Sequence, residues 1–146
     1  MITTQAIFID SDAFVALFRH DDTNHKKAVT LFDQLKNQST TFITSNYVFS
    51  ESITVISQKV GHGIAVAYIN TMISEDAQFL IKRADEFIEE EALEIFKAQT
   101  SKNTSFVDCT NMAFLKKLHA DAIFSFDGIY RKNGFMLLED LVAGKN

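Results

Sequence analysis

The feature that most constrains this chain is the run Ala6-Ile7-Phe8-Ile9, which ends abruptly in Asp10-Ser11-Asp12. A strand with one wet face alternates polar and apolar residues. A short unbroken apolar run instead suits a strand buried on both faces, as in a parallel sheet covered by helices. Comparable runs follow at Thr41-Phe42-Ile43-Thr44, Ala77–Lys82, Ala122-Ile123-Phe124-Ser125 and Phe135–Leu138. The intervening segments carry helical spacing and caps. Ala13–Phe18 reads as a short helix. Asp22, Thr23 or Asn24 caps a longer one through about Lys36, with Ala28, Leu31, Phe32 and Leu35 on one face. Ser45-Asn46 opens Tyr47–Val60, which Gly61 stops; His62–Ser74 follows. Asp85 caps Glu86–Gln99, Thr100–Thr104 is a polar loop, Asp108–Leu118 is a sixth helix and Asp127–Lys132 a helical turn. The tail Val142–Asn146 is expected to fray. Strands separated by helices predict an α/β fold: a three-layer α/β/α arrangement around a five-stranded parallel sheet.

A chain of 146 residues fits one domain, here 1–146. Its single cysteine, Cys109, excludes an internal disulfide and points to a reducing compartment, the cytoplasm. Apolar runs such as Ala13–Phe18 and Ile64–Ile69 are far below the roughly 20 residues of a membrane span. Met1-Ile2-Thr3-Thr4-Gln5 offers no basic segment ahead of an apolar one, so no secretory signal is expected. A formal net charge of −5 excludes a protein that coats nucleic acid by bulk charge, but not an enzyme whose acids hold metal ions.

In a parallel α/β sheet the active crevice lies beyond the carboxyl ends of the strands. Asp10 follows the first strand and Asp127 the fourth; each reads either as a helix N-cap or as a site acid. Glu51 shares a helix face with Val48 and Val55, a stripe where an unpaired charge is costly. Asp108 is in line with Met112 and Leu115, near a helix start whose dipole favours negative charge. If these acids converge at one sheet edge they repel one another, and a hard cation relieves them. Oxygen donors of this kind select Mg²⁺ or Mn²⁺ over zinc. His20, His25, His62 and His119 are scattered and read as surface residues.

Four segments in order resemble the motifs of PIN-domain ribonucleases, particularly VapC-like toxins and their relatives. They are Phe8-Ile9-Asp10-Ser11-Asp12-Ala13-Phe14-Val15-Ala16-Leu17, Thr44-Ser45-Asn46-Tyr47-Val48-Phe49-Ser50-Glu51-Ser52, Ser105-Phe106-Val107-Asp108-Cys109-Thr110, and Ala122 to Tyr130 with Gly134-Phe135. The resemblance spans residues 6–138. It departs at Asp12, where relatives more usually carry a small polar residue, and at Gly128, often a longer polar one. Asp12 then adds a fifth carboxylate or caps a helix.

The resemblance implies a metal-dependent endoribonuclease. One or two Mg²⁺ or Mn²⁺ ions would sit on Asp10, Asp108 and Asp127, with Glu51 helping directly or through water. The cation would activate a water and neutralise the phosphoryl oxygens, leaving a 5′-phosphate and a 3′-hydroxyl. Thr44, Ser45 and Asn46 would orient the phosphate or a water, or Ser45 would only cap its helix. Arg19, Lys26, Lys27, Arg131 and Lys132 would meet RNA phosphates, or are ordinary solvated charges. Phe14, Phe18 and Tyr47 would stack on bases or, more simply, pack in the core or a dimer interface. Relatives imply a homodimer and an antitoxin partner, although no residue here reports the latter. Two other readings stay open. One is a PIN domain without activity, used for dimerisation or protein binding. The other is a phosphoacceptor receiver module, disfavoured because Lys82-Arg83-Ala84 stands where its aspartate belongs and Leu138-Glu139 where its lysine belongs.

Overall fold

The computed structural model describes residues 4–144, so Met1-Ile2-Thr3 and the last two residues of the expected frayed tail lie outside it. In chain order the elements are β1 (Gln5–Ile9), α1 (Ser11–Phe18), α2 (His25–Leu35), β2 (Thr40–Ser45), α3 (Asn46–Lys59), α4 (His62–Ile73), β3 (Phe79–Lys82), α5 (Glu86–Ala98), α6 (Phe106–Lys117), β4 (Ala122–Phe124), α7 (Ile129–Lys132) and α8 (Leu138–Val142). The strands form a parallel sheet of order β3-β2-β1-β4, in which Ile7 pairs with Phe42 on one side and Ala122 on the other. Among the described residues no helix is long and apolar enough to cross a membrane.

The central strand is buried as its unbroken apolar run requires: Ile7, Phe8 and Ile9 are all inaccessible to solvent. Successive side chains point to opposite faces. On one face Phe8 stacks on Phe114 of α6, with ring centroids 5.5 Å apart. On the other, Phe42 and Phe79 meet Phe32 of α2, and Phe79 also meets Phe14 of α1. Helices therefore cover both faces, and aromatic rings supply much of the apolar contact.

The sheet has four strands where five were expected. Leu137 makes one parallel bridge to Ile123, and Ile123 N–H donates to Met136 O at 2.9 Å. Beyond it the chain turns into α8 instead of extending. The apolar run Phe135–Leu138 ends at Glu139-Asp140, and both acids are drawn to basic side chains: Asp140 to Arg131 at 2.8 Å, and Glu139 to Lys27. Leu137 and Leu138 are still buried, so the apolar signal marked core and not strand.

Caps explain the other boundary shifts. The sixth helix starts at Phe106, before Asp108, because Ser105 caps it. The Ser105 hydroxyl accepts from Asp108 N–H at 3.0 Å, and Asp108 Oδ2 accepts from Ser105 N–H at 2.9 Å. This reciprocal pair satisfies two amides that the helix start leaves open. Asn24 occupies the N-cap of α2 without a side-chain bond, while Asp85 caps α5 as expected. Gly61 separates α3 from α4 at φ 145°, a backbone conformation that a side chain opposes.

Candidate active site

β1 lies between β2 and β4, so residues that follow these three strands meet at one edge of the sheet. Asp10 ends β1 and is 5% exposed. It caps α1: its Oδ1 accepts from Ser11 N–H at 2.7 Å. Its Oδ2 accepts from the Tyr130 hydroxyl at 2.6 Å. The same hydroxyl lies 3.3 Å from Asp108 Oδ1 and accepts from Asn111 Nδ2 at 2.9 Å. Asp10 on β1's end, Asp108 on α6 and Tyr130 on α7 thus meet at one phenolic oxygen.

Glu51, half-buried on α3, enters the same group through Ser11, whose hydroxyl donates to Glu51 Oε1 at 2.7 Å. Asp12, on the first turn of α1, accepts from the Ser125 hydroxyl at 3.0 Å and from Phe126 N–H at 2.7 Å, both through Oδ2. Its Oδ1 is buried with no partner. Asp127 is exposed. Its N–H donates to Ser125 Oγ at 3.1 Å, and its Oδ1 accepts from Ile129 N–H at 2.9 Å. Asp10, Glu51 and Asp108 are thus joined through Ser11 and Tyr130, and Asp12 and Asp127 through Ser125, as two hydrogen-bonded groups at the same edge of the sheet.

Burial, then the nearby charge of Asp12, pushes Asp10 from an ordinary 3.8 up to about 8, against the opposing bonds from Tyr130 and Ser11; Asp108 adds to the rise. Asp12 is pushed up to about 6, chiefly by burial and partly by Asp127, against its bonds to Phe126 and Ser125. Burial and the charges of Asp10 and Asp108 hold the Tyr130 phenol well above its usual value. The edge carries more negative charge than it can easily keep ionised.

That surplus, an all-oxygen donor set and the unpartnered Asp12 Oδ1 fit a hard divalent cation in kind. As the side chains stand, no three Asp, Glu, His or Cys among the described residues are grouped closely enough to coordinate one. Tyr130 Oη occupies the point where Asp10 and Asp108 face each other.

The three polar residues after β2 are engaged in the fold. The Thr44 hydroxyl donates to Ile9 O at 2.8 Å, Ser45 caps α3 by accepting from Val48 N–H at 3.1 Å, and Asn46 Oδ1 accepts from Ala84 N–H at 2.9 Å. Of the basic candidates, Arg19 pairs with Asp21, Lys27 with Glu139, and Arg131 with Asp140. Lys26 and Lys132 are exposed, and Lys132 borders a cleft of about 240 Å³ with Asp127, Gly128, Ser101, Asn103 and Thr104. A second cleft, of about 230 Å³, opens beside Ser11, Asp12 and Glu51. Phe14 is fully buried and packs on Tyr68 and Phe79; Phe18 also packs on Tyr68, and Tyr47 donates to Glu89.

Tyr130, Ser11, Ser125 and Asn111 were not among the residues singled out for the site from sequence. Tyr130 lies three residues after Asp127 in a helical turn, a spacing that reads equally as core packing. Ser11 and Ser125 are each within two residues of an acid, and Ser125 read only as the end of the fourth strand.

A family model described as the PIN domain matches residues 7–136. The 23S rRNA-specific endonuclease VapC20 of Mycobacterium tuberculosis is 30% identical over 130 residues, which is 89% of this chain and 95% of that protein. A crystal structure of M. tuberculosis VapC20, a sarcin-ricin loop cleaving toxin, superposes with a TM-score of 0.80 at 28% identity, covering 89% of this chain and 96% of that one. FitAcB from Neisseria gonorrhoeae superposes with a TM-score of 0.61 at 13% identity over 84% and 88%, a likeness of fold.

Proposed function

The chain belongs to the PIN-domain family, and from that membership we propose that it is a divalent-metal-dependent endoribonuclease, the toxin of a toxin–antitoxin pair. One observation carries the reading: five acids from the carboxyl ends of β1 and β4 and from α1, α3 and α6 gather at one edge of the sheet in two hydrogen-bonded groups, with Asp10 too buried to stay ionised alone. Similarity to VapC20 over most of both chains supports ribosomal RNA as the substrate class.

Asp10, Asp108 and Asp127 would hold one or two Mg²⁺ or Mn²⁺ ions, with Glu51 taking part directly or through water. When bound, a divalent ion lowers the pKa of a water and offsets charge on the phosphoryl oxygens. The protein's own groups then orient and confine. Ser11 holds Glu51 toward the Asp10 side, the Asp12–Ser125 contact sets the loop that carries Asp127, and Lys132 stands beside Asp127 where a backbone phosphate can approach. In this reading Thr44, Ser45 and Asn46 act by holding β2 and α3 in place. A homodimer, an antitoxin partner and a cytoplasmic setting belong to the same proposal. Phe87 on α5 and Ile73 on α4 are 74% and 63% exposed, apolar surface of the sort that protein partners cover.

The test is cleavage of RNA by the purified protein with Mn²⁺ or Mg²⁺. We expect EDTA to abolish it, and Asp10→Asn and Asp108→Asn to abolish it with the circular dichroism spectrum retained. Undiminished cleavage by both variants sinks the site assignment. A second reading, a PIN domain without activity, draws on the lack of a ready group of three metal-binding side chains among the described residues. It is favoured if the wild-type protein neither binds Mn²⁺ nor cuts RNA.

A further inference from the structure

Tyr130 is fully buried on α7, and its backbone carbonyl accepts from Phe135 N–H at 3.0 Å and Asn133 N–H at 3.1 Å, so the ring is anchored from behind. A phenylalanine would fill the same volume. The hydroxyl adds nothing to apolar packing, and burying it without a partner is costly. Here the proton and one lone pair of that oxygen are engaged at the site. A phenol has one proton and two lone pairs. The proton goes to Asp10 Oδ2, the shorter contact at 2.6 Å; Asn111 Nδ2 fills a lone pair at 2.9 Å; Asp108 Oδ1 stands at 3.3 Å.

We propose that Tyr130 is a positioning residue for the metal-binding acids: its hydroxyl donates to Asp10 and, together with Ser11 N–H, fixes the direction of that carboxylate beside Asp108. The proposal rests on the reading of these acids as holders of a divalent cation. Asp10 is gripped on both oxygens, by Ser11 N–H at 2.7 Å on Oδ1 and by Tyr130 on Oδ2. Each oxygen keeps a further lone pair, so the grip orients the carboxylate without consuming it. Outer groups that hydrogen-bond a metal ligand set its direction and contribute to affinity. Asn111 extends the chain of support by donating to the phenol oxygen at 2.9 Å.

The test is Mn²⁺ titration calorimetry on the wild-type protein, Tyr130→Phe and Asn111→Ala, with circular dichroism and melting temperature as checks of fold. Tyr130→Phe removes one oxygen atom. We expect its Mn²⁺ dissociation constant to rise roughly 10–100-fold, Asn111→Ala to shift it less in the same direction, and excess Mn²⁺ to restore the turnover of Tyr130→Phe on RNA. A purely structural hydroxyl would not give rescue by metal. Wild-type affinity, or tighter binding, in Tyr130→Phe overturns the proposal. If that variant fails to fold, unchanged affinity in Asn111→Ala overturns it instead. A wild-type protein that does not bind Mn²⁺ overturns the nuclease reading itself, and this inference with it.

Discussion

Asp12 and Ser125 are 113 residues apart in the chain, and their side chains are joined by a 3.0 Å hydrogen bond. Because Ser125 Oγ also accepts from Asp127 N–H, the first turn of α1 sets the loop that carries the last of the four principal acids. Asp12→Ala should leave Ser125 and Phe126 N–H without their acceptor and reduce RNA turnover roughly 10–100-fold. Asp12→Asn keeps a carbonyl oxygen there and should lose less. Steady-state cleavage by Asp12→Ala at the wild-type rate would refute this role.

The raised acids also dictate a pH response of the metal-free protein. Folded Asp10 and Asp12 keep a proton up to about 8 and about 6, whereas the unfolded chain gives it up near 3.8. Their contribution to stability is therefore complete below the unfolded value and is lost as pH rises through about 6 and then about 8. Asp10→Asn cannot ionise, but its one carbonyl oxygen must serve two donors, Ser11 and Tyr130. In EDTA, its melting temperature should lie at or below wild type near pH 5 and above it near pH 9. The crossing follows from a slope of up to about 1.4 kcal/mol per pH unit per group. Parallel melting curves at the two pH values would contradict the burial of Asp10 as an acid.

Adjacent basic residues of α7 should separate cleanly. Lys132 borders the cleft beside Asp127, and Lys132→Ala should raise KM for RNA, lower the salt dependence of binding by about one phosphate contact, and leave the melting temperature unchanged. Arg131 is tied to Asp140 at 2.8 Å, and Arg131→Ala should cost about 1 kcal/mol of stability with KM unchanged. Equal effects of both on KM would show that Arg131 also reaches RNA.

Ser105→Ala removes the side-chain half of the reciprocal cap on α6. We expect a loss of about 1 kcal/mol in denaturant melts. A loss below a few tenths of a kcal/mol would mean that water or Asp108 alone satisfies the helix start.

Local chemistry decided what the sequence could reveal. The acids after β1 and β4 were legible because a buried strand must end where a charge begins, and Asp10 follows β1 for that reason. The fifth strand was expected and is absent, because Phe135–Leu138 shows the apolar demand of the core but not the pull of Arg131 and Lys27 on the acids that follow. The start of α6 was misread because Ser105 and Asp108 both look like caps, and only their reciprocal bonds tell which is N-cap. Tyr130 was hidden because an aromatic residue in a helical turn announces a ring and says nothing of where its oxygen goes.

The scatter of the acidic edge along the chain has a consequence for synthesis. Asp10, Asp12 and Glu51 emerge from the ribosome early, but a nascent chain that stops short of Asp108 lacks that acid, Asp127 and the tyrosine that joins Asp10 to Asp108. Such a chain lacks two of the five acids. If ribosomal RNA is the target, the ribosome making this protein is shielded from it until translation is nearly complete.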